Sequence, residues 1–333
     1  MSEPLSYSKN YDKLSYNEIQ ILEKAKKSIS DFVENSALLS DVEYATRNVH
    51  AKTYAVLKGE LIINKDLDEN FRKIFGDEKY TVTARLSHAN PKINNQKNVF
   101  PAYGFAFKIK NEQDKTIANY PLVNFPLLPV NSPIRLLKIL IAMNHYQIKG
   151  WTRILPLLKQ IGCNIHAILR FSFFKHCWNL LLKRKDFILS SDFYSVGAYR
   201  FDDKMIKIKI SPVSVPKKFE QEISVKESLE NFFASNEYVA EVLVQFCYDL
   251  KNQPIDKLHR EWKNSPYLKL GVIKFNKNSI LNPKSCENEL LSFNPFESAE
   301  ILQPVGKIQQ LRNEAYKTSL QARKKINKLL KYQ

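Results

Sequence analysis

Three stretches decide the fold: Thr53–Asn64 (TYAVLKGELIIN), Tyr80–Ser87 (YTVTARLS) and Tyr103–Lys110 (YGFAFKIK). Each is rich in aromatic and β-branched residues and is bounded by turn formers, the pattern of a strand. Asn119–Val130, Phe193–Tyr199, Tyr238–Leu250 and Leu268–Phe275 read the same way. Met205–Ile210 (MIKIKI) alternates strictly, which predicts a half-buried strand. About eight strands are enough to close a barrel. Helical patterns flank and interrupt them. Ile19, Ile21, Leu22, Ala25 and Ile29 recur at helical spacing near the start, and Ser132–Tyr146 and Asn164–Lys185 predict two helical insertions. After Pro304-Val305-Gly306, a last helix carries Ile308, Leu311, Ala315, Ala322, Ile326 and Leu329 at three- and four-residue steps. The expectation is an α+β chain, a large antiparallel β-barrel of about eight strands with packed outer helices. Residues 1–45 form an N-terminal helical segment in this reading, and residues 46–333 form the barrel domain.

The composition sets limits on function. With 44% hydrophobic and 26% charged residues, the 333-residue chain is a folded protein rather than a disordered one. Only 8 glycines, and no GxGxxG or GxxxxGK[ST], exclude the commonest glycine-cradled nucleotide sites. The start, MSEPLSYSKNYDKL, has no apolar h-region, and no apolar run reaches the roughly 20 residues of a bilayer span. Four cysteines in a chain of this size do not make a disulfide scaffold. A cytoplasmic, reduced protein is expected. Cys163-x2-His166 with His176-Cys177 looks like zinc spacing. On one continuous helix, however, Cys163 and Cys177 would lie roughly 21 Å apart and could not share an ion.

Lys and Arg number 51 against 34 Asp and Glu, a net charge of +17. Ten of the cations fall between Arg135 and Lys185, with no acidic residue from Ile134 to Lys185, and Arg323–Lys331 is basic again. Such runs suit nucleic acid, anionic lipid or an acidic ligand, or simply form a solvated face. No nucleic-acid-binding motif accompanies them, so no nucleic-acid partner is expected. Residues 132–185 also carry Phe171, Phe173, Phe174 and Trp178. They are either helices packed on the barrel or a peripheral membrane contact that gathers lipid.

The last helix holds the most informative spacing. Arg312 and Tyr316 are four residues apart and share a face. Arg323, seven beyond Tyr316, lies about 20° off that face and roughly 10 Å further along. Charged groups beside an apolar seam need partners. A cation next to a phenol oxygen favours the ionised form, which can ligate a metal, haem iron included. Ordinary surface residues on a basic helix are the alternative. Upstream, Arg47-Asn48-Val49-His50-Ala51-Lys52 precedes the first strand, Arg85-Leu86-Ser87 ends the second, and Asn124-Phe125-Pro126-Leu127-Leu128 follows.

These four elements, Arg-x-Val-His-Ala-Lys, Arg-x-Ser, Asn-x-Pro and Arg-x3-Tyr-x6-Arg, resemble in kind and order the haem-dependent catalase family. Ser292-Phe293-Asn294-Pro295-Phe296 followed by Pro304-Val305-Gly306 looks like its short, catalase-related members. The resemblance spans roughly Arg47 to Arg323. It implies haem b as cofactor, with Tyr316 as the axial ligand of the iron and Arg312 holding the phenolate charge. It also implies Arg47, Arg85 and Arg323 on the haem propionates. His50 is then the distal acid–base group, Asn124 the distal asparagine, and Ser87 the serine that orients the histidine. The implied activity is decomposition of hydrogen peroxide or of organic and lipid hydroperoxides through a ferryl state. A fatty-acid hydroperoxide isomerase or peroxygenase of the allene-oxide-synthase type, and a non-enzymatic haem-binding protein, are the alternatives. Val49 beside His50 is as in catalases, where the allene oxide synthase has Thr, which leans towards peroxide breakdown. Two features depart from the pattern. Thr53-Tyr54 stands where catalases usually have a glycine, and the chain ends ten residues beyond Arg323 without the family's C-terminal extension. The short form implies a wider entrance for organic hydroperoxides, and a homo-oligomer held without the long arms.

Overall fold

The alternating stretches form one antiparallel sheet that closes on itself. The structure, a computed structural model, describes residues 3–67, 69–72, 74–93, 100–215, 224–281 and 285–330. Lys331, the end of the basic tail, lies outside them. The strands are β1 (Thr53–Ile63), β2 (Lys79–His88), β3 (Tyr103–Lys110), β4 (Thr116–Val123), β5 (Phe193–Tyr194) and β6 (Ala198–Phe201). β7 (Lys204–Pro212), β8 (Tyr238–Phe246), β9 (Tyr267–Phe275), β10 (Ile280–Leu281) and β11 (Pro304–Val305) follow. Around the wall the order is β7-β5-β4-β3-β2-β1-β9-β8, and β8 pairs back onto β7, so eight strands close the barrel.

Period-two alternation sorts the side chains. Ala84 and Leu86 of β2, Phe105 and Phe107 of β3, and Ile208 and Ile210 of β7 are buried in the barrel core. Each buried phenyl contributes about 1.5–3 kcal/mol. Gly59 of β1 leaves room inside, because a Cβ there would come within 2.5 Å of the Phe275 ring. Arg85, Ser87 and Gly104 take the alternate positions, on the outer face.

The helices are α1 (Tyr16–Ser40), α2 (Glu69–Arg72), α3 (Pro133–Lys149), α4 (Ile154–Cys163) and α5 (Ile165–Ile168). After them come α6 (Phe171–Leu182), α7 (Val225–Ser235), α8 (Ser285–Leu290) and α9 (Lys307–Leu330). A capping box between Ser15 and Glu18 starts α1. Leu22 and Ala25 of α1 pack with Leu137 of α3 and Leu311 of α9, and Ile29 and Val33 pack against Ala322 and Ile326. The first helix is therefore clamped to the last.

Several predicted boundaries shift, each for a local reason. Asn164–Lys185 is not one helix: it starts after Asn164, breaks at Leu169 and Arg170, and ends at Leu182, and a further helix, α4, precedes it. Asn164 is fully buried, its Nδ2 donating to Gln160 O (2.9 Å) and its Oδ1 accepting from Asn131 N (3.2 Å). Arg170 is extended, which stops the next turn. The predicted Asn119–Val130 strand ends at Val123, where the N–H of Tyr103 turns to the Asn124 side chain (2.8 Å) rather than to a strand carbonyl. Phe193–Tyr199 splits in two because Ser195 Oγ, rather than a strand carbonyl, accepts from Ile208 N (2.8 Å). Tyr238–Leu250 ends at Phe246, since the N–H groups of Tyr248 and Asp249 both turn to Gln253 Oε1.

Candidate functional site

The site lies on the outer face of β2 and β3, where the loop before β1, the end of α8 and the helix α9 meet. His50 sits in that loop in the left-handed region (φ 58°), a conformation that costs a non-glycine residue about 1–3 kcal/mol. Arg85 holds it there: its Nη2 donates to His50 O (2.7 Å) and its Nε to Thr53 Oγ1 (3.0 Å). Thr53, the departure from the family's glycine, is thus an acceptor for Arg85. The His50 ring has Nδ1 3.2 Å from Ser87 Oγ. Beneath both is Gly104, where a Cβ would lie 2.7 Å from the imidazole and 2.8 Å from Ser87 Oγ. Only glycine lets β3 approach the pair so closely. Burial first, then the cations of Arg85, Arg312 and Arg47 and the neighbouring His88, push the His50 pKa down to about 3. Its ring is neutral at ordinary pH, as a proton acceptor must be.

Two arginines meet one acid, and Arg85 lies within its electrostatic reach. Glu289, at the end of α8 and 2% exposed, accepts from Arg47 Nη1 (2.7 Å) and from Arg47 N (3.1 Å). Arg47 Nη2 also donates to Asn288 O and Leu291 O. From α9, Arg323 donates through Nε to Glu289 O (2.9 Å) and through Nη1 to Ser319 Oγ (2.7 Å), and its Nε lies 3.6 Å from Glu289 Oε2. Burial and Arg47 pull the Arg323 pKa down to about 9, with Glu289 opposing. For Arg85 the same causes act, burial foremost, with Arg47 and Arg323 adding to it and Glu289 and Tyr316 opposing. Buried charges need compensation. Among the described residues this cluster has three guanidiniums and one carboxylate. It therefore suits a ligand carrying two negative charges.

On α9, Arg312 Nη2 reaches Tyr316 OH at 3.5 Å, with the guanidinium 5.9 Å from the ring centre, and Nη1 donates to Gln309 Oε1 (2.7 Å). Burial weighs against the Arg312 charge, but Tyr316 and Tyr199 outweigh it and its pKa is raised. Tyr316 is also within electrostatic reach of Arg85, and Arg312 within reach of His50. The structure thus gathers His50, Ser87, Arg47, Arg85, Arg312, Tyr316 and Arg323 into one region. Asn124 stands differently. Its Oδ1 accepts from Tyr103 N (2.8 Å) and its Nδ2 donates to Pro101 O (2.9 Å), so it clamps the backbone leading to Gly104 and bonds to no other predicted site residue.

Sequence reasoning missed Glu289, Gln309 and Gly104. A lone glycine inside an alternating strand was a usable sign of close backbone approach. Glu289, one of two acids in the short SCENEL helix, had no comparable signal.

No protein-family model matches the chain, and no curated protein matches its sequence. Solved structures do resemble it. A fungal catalase superposes with a TM-score of 0.63 at 13% identity, covering 97% of this chain and 65% of its own. Catalase A from Saccharomyces cerevisiae gives 0.60 at 14% identity, covering 97% and 67%. A bacterial catalase gives 0.56 at 15%, covering 97% and 64%. The chain thus spans about two thirds of the length of these enzymes, and the architecture it shares with them, a closed eight-stranded antiparallel barrel wrapped by helices, is the catalase-like fold.

Proposed function

We propose that the chain is a catalase-like haem protein that breaks down peroxides, with hydrogen peroxide or an organic hydroperoxide as substrate. One observation carries the reading: a buried cluster with two positive charges in excess stands beside a histidine held neutral and a tyrosine backed by arginine. Haem b fits this set. Arg47, Arg85 and Arg323 would hold its two propionates, whose charges would offset theirs. Tyr316 would give the iron its phenolic oxygen, with Arg312 balancing the phenolate charge. When bound, the haem supplies the redox chemistry that splits the O–O bond.

The protein's part is positioning and proton transfer. With its Nδ1–H donated to Ser87 Oγ, His50 keeps the Nε2 lone pair to take a proton from one peroxide oxygen and return it to the departing one. Ser87, Arg85 and the Gly104 backbone fix the ring for that exchange. Asn124 holds residues 101–103 in place and keeps its second amide N–H for the departing oxygen.

The test is oxygen release from hydrogen peroxide, and loss of an organic hydroperoxide, by hemin-loaded protein. Turnover is expected in the parent chain, with about a 10²–10⁴-fold loss in His50→Ala while the haem absorption persists. Haem retention with no turnover in the parent would leave a haem-binding protein without this activity. Equal turnover in His50→Ala would remove the distal assignment.

A further inference from the structure

An amphipathic helix in a folded domain ordinarily turns its apolar stripe inward. On α4 and α6 the reverse holds. Leu155, Leu158 and Ile161 recur at three-residue steps on α4 and are all exposed, while Leu157 is its buried residue. On α6 the series is Phe171, Phe174 and Trp178, with Leu180 buried. Trp151 is 78%, Phe171 83% and Trp178 64% exposed. Large apolar side chains left exposed along successive helices mark an interaction site.

The charge on the same surface says what it meets. Arg153, Lys159, Arg170, Lys175 and the run Lys183-Arg184-Lys185 are exposed, and none has an ion-pair partner among the described residues. No acidic residue occurs between Ile134 and Lys185. A second copy of this face would bring like charges together, which opposes self-association. Exposed Trp and Phe beside unpaired Lys and Arg instead match the boundary between anionic headgroups and acyl chains. No helix of the described residues is long and apolar enough to cross a membrane, so the contact would be surface-lying.

We infer that residues 151–185 form a docking surface for an anionic phospholipid bilayer, with Trp151, Phe171 and Trp178 inserted and the surrounding cations on the headgroups. This does not depend on haem, and it would stand if the peroxide reading failed. It also places the protein where acyl hydroperoxides arise. The contact between Phe125, next to Asn124, and Phe173 and His176 of α6 ties the docking helices to the strand end beside the candidate site.

Flotation of the full chain with vesicles of phosphatidylcholine alone, and with about one third phosphatidylglycerol, tests the inference. Binding to the anionic vesicles is expected to exceed that to neutral ones by about tenfold and to fall as salt is raised. Combining Trp151→Ser, Phe171→Ser and Trp178→Ser should abolish flotation with thermal midpoint and circular dichroism unchanged. Lys183→Glu, Arg184→Glu and Lys185→Glu together should weaken it without touching the aromatic anchors. No flotation, equal flotation with both vesicle types, or parent-like flotation of the aromatic variant would overturn the inference. So would self-association that the aromatic variant abolishes in the absence of vesicle binding, which would assign the face to a second copy.

Discussion

Glu289→Ala is expected to cost about 3–5 kcal/mol of folding stability, the penalty for removing one partner of a buried ion pair. The reason is the local count of charges. Glu289 is nearly inaccessible, accepts from both the side chain and the backbone of Arg47, and faces Arg323 at 3.6 Å. Without it, the mutually repelling charges of Arg47, Arg85 and Arg323 lose the carboxylate that offsets them. Glu289→Gln keeps the shape and one acceptor oxygen, so its loss should be smaller. Urea unfolding of the haem-free protein measures both. A change below about 0.5 kcal/mol in the alanine variant, typical of a surface position, would show that the arginines do not rely on this carboxylate.

Tyr316→Phe should have its effect on cofactor retention instead. The substitution keeps the ring beside Arg312 but removes the phenolic oxygen proposed to ligate iron as an anion. Haem retention is expected to fall by at least about 100-fold. The haem-free protein should keep its stability within about 1 kcal/mol, because Tyr316 is partly exposed and loses only a 3.5 Å contact to Arg312. Apo-protein stability and haem dissociation, measured on the same preparation, separate the two effects. Unchanged retention would mean that another group, or none, approaches the iron.

The sequence made the barrel legible because two-residue alternation is a local property. β3 coincides with the stretch read from YGFAFKIK, and β2, β7 and β9 shift by one or two residues at their ends. The last helix was legible for the same reason, from the spacing of Ile308, Leu311, Ala315 and Ile326. What stayed hidden depended on partners distant in the chain. The helix α4 went unread, and it ends where the Asn164 side chain binds Asn131, 33 residues away. The convergence of Arg47 and Arg323 requires Glu289, which lies 242 residues from the first of them. The bonds of the Asn124 amide to the backbone of Tyr103 and Pro101, 21 and 23 residues away, were hidden for the same reason. The apolar face of α4 and α6 shows the same limit, since periodicity reveals a stripe but not whether it turns towards core or solvent.

The central claim is that a ferric porphyrin binds between His50 and α9, and titration of the purified chain with hemin tests it most directly. A Soret band distinct from that of free hemin, saturating at about one haem per chain, is the predicted result. A spectrum that stays that of free hemin at every ratio would contradict the account.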